Sequence, residues 1–209
     1  MGRFLALCLP LRCSYILADL ICTIQFFIAR TDRVTVISNL RVIFPEKSRK
    51  EIFFIAWRMF RNFGRYLTVF FKFSIIDKNF IKKYVVIENI EYVDELLKKY
   101  KGVVAVTAHI GNWELAGAVT ALCGYPVVGV AMSHKNKMIN EFFNRQRSYA
   151  GMEVVPLGRA VKECLKALQE GKVVALLGDR DFTRGGFRLD FFGRLAIIPK
   201  GAAIFSLRT

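Results

Sequence analysis

Cysteine is scarce and unpatterned: five residues, Cys8, Cys13, Cys22, Cys123 and Cys164, with no Cys-x-x-Cys spacing among them. So scattered and odd-numbered a set offers neither a zinc site nor a disulfide framework, and no metal or other cofactor is expected. Cys8, Cys13 and Cys22 lie in an apolar N-terminal segment, where thiols act as small hydrophobes, so a reducing cytosolic face is the simplest setting. Acidic residues are also few. The 17 Asp and Glu stand against 32 Lys and Arg, a net charge of +15, so the surface attracts anionic lipid, phosphorylated glycolipid, an acidic carrier protein or nucleic acid. Long unbroken apolar runs are missing as well. The longest stretches near the start that are free of both charges and side-chain amides are Phe4 to Leu11 and Cys13 to Ala18, well short of the ~20 residues that cross a bilayer core.

Apolar residues, by contrast, make up 54% of the 209 positions, with 19 phenylalanines and a mean hydropathy of +0.32. That composition suits an enzyme working at a membrane surface better than a soluble cytosolic protein. The length accommodates one well-buried domain. Residues 4–29 are largely apolar, flanked by Arg3, Arg30 and Arg33 and interrupted by Pro10, Arg12, Asp19 and Gln25. Arg12 and Asp19, seven apart, share a helical face, which points to an interfacial or partly inserted anchor over residues 1–30. No small-x-small cleavage site follows it. The remainder, 31–209, reads as the working domain.

Glu51 to Phe73 has the pattern of a long helix, with Arg58, Arg61 and Arg65 forming a basic stripe beside aromatics. Two readings stand: a packed helix whose arginines snorkel, or a surface that touches phosphate headgroups. From Lys83 onward strands and helices alternate, the signature of an α/β fold with a mostly parallel central sheet flanked by helices. Strands are expected at 85–88, 103–107, 127–132, 152–155 and 173–177, and helices at 93–99, 113–123, 136–149 and 159–169. Phe191-Phe192-Gly193 is expected to turn a hairpin, the glycine supplying a positive φ.

Chemistry concentrates at Ala108-His109-Ile110-Gly111-Asn112-Trp113-Glu114. The apolar run before it sets His109 at the end of a buried strand, and Asn112 caps the helix that follows. Glu114 then falls in that helix's first turn, where side chains lean back toward its N-terminus. Positions five apart in a continuous helix point roughly 140° from each other, so a His109–Glu114 pair requires the histidine to precede the helix. A carboxylate there would fix the ring's tautomer and stabilise the imidazolium, as a general base needs. Glu114 as a simple complement to the helix dipole is the competing reading. His134, with no carboxylate near in sequence until Glu141, reads as a loop histidine. Arg145 and Arg147 suit forked binding of phosphate or carboxylate, or else a solvated basic face. Asp179 ends an apolar strand, where α/β folds place functional groups, or is a turn residue paired with Arg180 or Arg184.

Together these features resemble the lipid A biosynthesis acyltransferase family and its mycobacterial phosphatidylinositol-mannoside relatives. The likeness rests on His-x-x-x-x-Glu at His109 and Glu114, Arg-x-Arg at Arg145 and Arg147, Asp179, the Phe-Phe-Gly turn, Ser38-Asn39-Leu40 and Phe44-Pro45. It runs from about residue 35 to the C-terminus. The resemblance implies a membrane-associated O-acyltransferase at the cytoplasmic face of a bacterial inner membrane. Its donor would be acyl-carrier protein or acyl-CoA, and its acceptor a hydroxyl of an anionic glycolipid, a lipid A precursor first and a phosphatidylinositol mannoside second. His109 would be the base, Glu114 its orienter, and the backbone N–H groups of residues 111–113 with the Asn112 side chain the oxyanion donors. Arg145, Arg147 and Asp179 would surround the same pocket and contact substrate. No nucleophile for a covalent acyl-enzyme is marked; Cys123 lies a full helix away. The family continues past the equivalent of Pro199-Lys200-Gly201 with further helices and strands, whereas this chain ends at Thr209 within the next helix, so an incomplete C-terminus is expected. The competing class is a non-catalytic basic protein binding membrane or nucleic acid. Nucleic acid is disfavoured, because the aromatics fall in apolar helices rather than among basic residues on strands.

Overall fold

Proline at position 10 ends one helix and opens another: α1 spans Gly2–Cys8 and α2 Leu11–Ile28, with Pro10 at the N-cap of α2. The computed structural model describes residues 2–182 and 185–209, and the chain divides into two compact units, residues 1–72 with 191–194 and residues 73–190 with 195–209. The expected boundary at residue 30 falls inside the first unit.

In that unit α2 is followed by α3 (Arg30–Ile43) and α4 (Arg49–Phe71). The sequence pattern did not suggest α3, whose polar residues mask its periodicity; Asp32 in its first turn and Arg41 in its last complement the helix dipole. A capping box starts α4: Glu51 N–H donates to Ser48 Oγ at 3.3 Å and Ser48 N–H donates to Glu51 Oε2 at 2.9 Å. Helices α2 and α4 run antiparallel around Phe26, which is fully buried and meets Phe53 and Phe60 edge-on, each with centroids 5.1 Å apart. Gly64 permits this approach, since a Cβ there would collide with Cys22 Sγ.

A polar seam crosses the same interface. Asp19 accepts from Arg65 Nε at 2.8 Å and from the Arg61 guanidinium, while Arg61 lies 4.5 Å over the Trp57 ring. Two of the three stripe arginines are thus committed to a packed carboxylate, and Arg58 alone of them is exposed. Arg12 is exposed too, and Asp19 turns away from it into α4. Because its charge is matched, Asp19 does not interrupt α2. Among the described residues α2 is the one helix long and apolar enough to cross a membrane, 18 residues of mean hydropathy 1.5, or about 27 Å of axis. Ile16, Leu20, Ile24, Phe27 and Ile28 leave its outer face exposed.

The second unit is the α/β layer. It holds α5 (Lys78–Tyr84), α6 (Glu91–Lys99), β1 (Val103–Thr107), α7 (Trp113–Leu122), β2 (Val127–Ala131), α8 (Lys137–Tyr149), β3 (Glu153–Pro156), α9 (Ala160–Gln169) and β4 (Val173–Leu177). The strand expected at 85–88 is instead unpaired chain after α5. Its apolar residues have the composition of a strand, but they pair with neither edge strand of the sheet. Four strands form a wholly parallel sheet in the order β1-β4-β2-β3, covered by helices as parallel sheets require. Val128, Cys164, Leu168, Val174 and Phe205 form its core. The first two residues of β2 and of β4 are buried and the last three partly open; accessibility therefore rises toward the C-terminal edge of the sheet. A two-stranded hairpin, β5 (Phe187–Phe191) and β6 (Arg194–Ile198), turns through Phe192 and Gly193 at φ 56° and 69°, the two left-handed positions of a tight hairpin turn. Finally α10 (Gly201–Arg208) lays Phe205 into the sheet core.

Candidate active site

Strands β1 and β4 are neighbours, with Thr107 opposite Leu177. Two residues beyond each of these stand His109 and Asp179, and the parallel register brings them together. Asp179 Oδ1 lies 2.9 Å from His109 Nδ1, and its Oδ2 accepts the His109 backbone N–H at 3.1 Å. One carboxylate thereby fixes both the ring and the backbone that carries it. Burial raises the pKa of Asp179, but its hydrogen bonds from the His109 ring and backbone outweigh this and hold it below the ordinary value. An ionised carboxylate only accepts, so Nδ1 carries the proton and Nε2 presents its lone pair. The His109 side chain is 29% exposed and that of Asp179 35%, open enough for a substrate hydroxyl. Trp113 packs against the imidazole, centroids 4.9 Å apart at 68°, which restricts rotation of the ring.

Glu114 occupies a different place from the one expected. It does not hold His109; its carboxylate takes a bidentate grip from Arg147, Nε to Oε2 at 2.9 Å and Nη2 to Oε1 at 2.5 Å. The reason lies in the turn. Gly111 adopts φ +59°, a conformation that suits glycine and reverses the chain before α7 begins. Asn112 then caps α7, its Oδ1 accepting from Leu115 N–H at 3.0 Å, so Glu114 points into the α7–α8 layer and is 7% exposed. A buried carboxylate needs a cation, and Arg147 supplies it.

This also revises the reading of the two arginines. Arg147 spends its fork on Glu114 rather than on substrate, with side-chain exposures of 13% and 9% for the pair. Arg145, two positions earlier, faces roughly 200° around the helix and is exposed, so the two do not grip one phosphate together. Arg180 lies 5.1 Å over the Phe182 ring, and Asp179 is bound to His109 instead of serving as a turn partner for it; Arg184 lies outside the described residues. His134 sits in the loop before α8, its ring 4.7 Å from that of Phe143. Among the described residues no group of three His, Cys, Asp or Glu is placed to hold a metal ion.

The sequence signal missed was the symmetry of the two strand ends, each an apolar run with a polar residue two positions beyond it. Had β1 and β4 been known as neighbours, Asp179 would have emerged as the partner of His109.

A histidine whose Nδ1 is held by a carboxylate, standing before the N-terminus of a helix at the open edge of a parallel sheet, is built to move a proton while charge develops beside it. The chain belongs to the bacterial lipid A biosynthesis acyltransferase family, whose model matches residues 2–209. It is 27% identical to a phosphatidylinositol mannoside acyltransferase of Mycolicibacterium smegmatis over 71% of this chain and 50% of that protein. With the phosphatidylinositol mannoside acyltransferase of Mycobacterium tuberculosis it shares 29% over 71% and 49%, and with a lipid A biosynthesis palmitoleoyltransferase of Escherichia coli 24% over 71% and 48%. The chain spans about half the length of the curated relatives it matches.

Proposed function

We propose that the protein, or the longer protein of which this chain is part, is an O-acyltransferase that moves a fatty acyl chain from an acyl thioester to a hydroxyl of a phosphorylated glycolipid. The observation that carries this reading is the Asp179–His109 pair at the sheet edge, in a chain whose relatives are named glycolipid acyltransferases. His109 Nε2 takes the hydroxyl proton as the oxygen attacks the thioester carbonyl. Negative charge then grows on the carbonyl oxygen, near the N-terminus of α7, whose helix dipole favours it. Collapse of the tetrahedral intermediate expels the thiolate, which receives the proton from the imidazolium. Asp179 remains ionised throughout and stabilises that cation. Glu114 and Arg147 act one layer below, holding α7 and α8 together beneath the site.

Attachment to the cytoplasmic face of a bacterial inner membrane is part of the same reading. Its support is the exposed apolar face of α2 and the excess of basic residues. Acyl-carrier protein or acyl-CoA is the donor, and an anionic lipid A precursor the first acceptor. The mannoside acyltransferases among the relatives favour phosphatidylinositol mannosides as the second. Lipid mass spectrometry of a strain lacking the gene, complemented with wild-type or His109→Ala protein, tests both. Loss of one acyl chain from lipid A or from mannosides, restored only by the wild type, is expected. Restoration by His109→Ala would refute the base, and an unchanged glycolipid profile would refute the activity.

A further inference from the structure

The first unit contains a cleft of about 170 Å³ that the transfer chemistry does not use. Its walls are Leu5 and Leu9 of the α1 segment, Leu17 and Ile21 of α2, and Leu67 and Phe71 of α4, with Ala18 and Gly64 at its floor. The two hydroxyls that line it are spoken for: Ser14 Oγ donates to Leu9 and Pro10 carbonyls at 3.3 and 3.2 Å, and Thr68 Oγ1 donates to Gly64 O at 2.9 Å. The lining therefore offers hydrocarbon and no open donor, which excludes a polar ligand. A cavity of about 150 Å³ lined by such side chains takes up benzene, so this cleft holds about six carbons of an alkyl chain. Its mouth opens on an apolar surface, since the lining residues Leu5 and Ile21 are themselves 38% and 54% exposed. Arg12, exposed in the first turn of α2, follows Leu9 by three positions, and Lys72, at the C-terminal end of α4, donates to the carbonyls of Ala6 and Leu9 at that same end.

We propose that this cleft is a binding site for one acyl chain of an anionic phospholipid, with the headgroup beside Arg12. The inference rests on the membrane reading above. It adds that a particular lipid chain is held between α1, α2 and α4, distinct from bulk lipid around the outer face of α2. Such a chain fills the space that small residues at 14, 18, 64 and 68 leave in the helix layer, so it completes the packing of the unit.

The test uses vesicles of phosphatidylcholine and phosphatidylglycerol carrying a trace of phosphatidylglycerol with a diazirine in one acyl chain. Flotation and photolabelling are measured on the same sample, and labelled peptides are mapped by mass spectrometry. Label concentrated on Leu5, Leu17, Ile21 and Leu67 is expected. Ala18→Leu, which displaces about two methylenes of lipid chain, should lower it about tenfold at unchanged flotation. Label spread over Ile16, Leu20, Ile24 and Phe27 in a protein that floats would overturn the cleft alone. A protein that fails to float would overturn the membrane reading itself. Label in the cleft that acyl-CoA abolishes would assign the cleft to the donor chain and refute the phospholipid. Should Ala18→Leu fail to fold, the wild-type map still decides.

Discussion

Replacing Arg147 by methionine removes the bidentate cationic partner of a carboxylate that is 7% exposed, while keeping most of the side-chain volume. Breaking a buried pair by deleting one member costs about 3–5 kcal/mol, because the remaining charge is left unsolvated. For a chain of 209 residues, each kcal/mol lowers the melting temperature by about 2–4 °C, so Arg147→Met should melt roughly 6–20 °C below the wild type. The double variant Glu114→Leu with Arg147→Met contains no stranded charge and should recover much of the loss, giving a coupling energy of about 2 kcal/mol. Circular dichroism melts of the four proteins in one detergent, run beside acyl-transfer assays, provide both readouts. If Glu114 acted on His109 directly, Glu114→Gln would lose transfer at an unchanged melting temperature. That outcome, or an Arg147→Met protein within about 0.5 kcal/mol of wild type, would refute the assignment of this pair to packing.

Further outcomes follow from the same geometry. Asp179→Asn should fold and bind membranes but lose about 10²- to 10⁴-fold in kcat, because a neutral amide neither fixes the Nδ1 proton nor stabilises the imidazolium; a steady-state assay that finds kcat within a few-fold of wild type would remove Asp179 from the chemistry. The pKa of Asp179 is depressed in the folded protein, so its stabilising contribution is present above the ordinary carboxylate value, near pH 4, and disappears as pH falls through the lower folded value. Acid unfolding of the wild type should accordingly steepen below pH 4, whereas Asp179→Asn should show a flatter profile there. Arg145→Ala, at an exposed position, should leave the melting temperature within about 0.5 kcal/mol of wild type; a raised KM for the glycolipid would then mark a substrate contact, and unchanged kinetics a solvated face. Ser48→Ala, which deletes half of the capping box of α4, should cost about 1 kcal/mol in a thermal melt.

Much of the second unit was legible in the sequence, and for identifiable reasons. Strands β1 and β4 are five-residue, mostly apolar runs, the first preceded by Gly102 and the second lying between Gly171 and Gly178, and Asn112 and Asn136 are helix caps whose chemistry is local. The order of strands was not legible, because it depends on which faces pack across the sheet. Without the order, the sequence offers Glu114, the nearest carboxylate along the chain, as the partner of His109, whereas the nearest in space is Asp179. Residues 85–88 differ from their pattern for a related reason: Val85, Val86 and Ile87 have strand composition, but pairing is a property of neighbours rather than of the segment. In the first unit Asp19 interrupts an apolar run along the sequence, and in the fold it is a packing residue, paired with Arg61 and Arg65 of α4. The spacing of those arginines was visible; what they faced was not.

The matched offsets of His109 and Asp179 from the ends of adjacent parallel strands have a consequence for how this site tolerates change. Some 70 positions separate the two residues along the chain, yet their distance is set only by the β1–β4 register and by two residues on either side. Segments between β1 and β4 can lengthen, shorten or exchange their helices, and the dyad stays assembled as long as both strands keep their pairing. Inserting a single residue between Thr107 and His109, or between Leu177 and Asp179, would separate the partners by a full residue step, about 3.3 Å along the strand direction. The site is therefore robust to large edits far from it and fragile to the smallest edits at two short junctions, and spacing within the linear sequence is no guide to finding it.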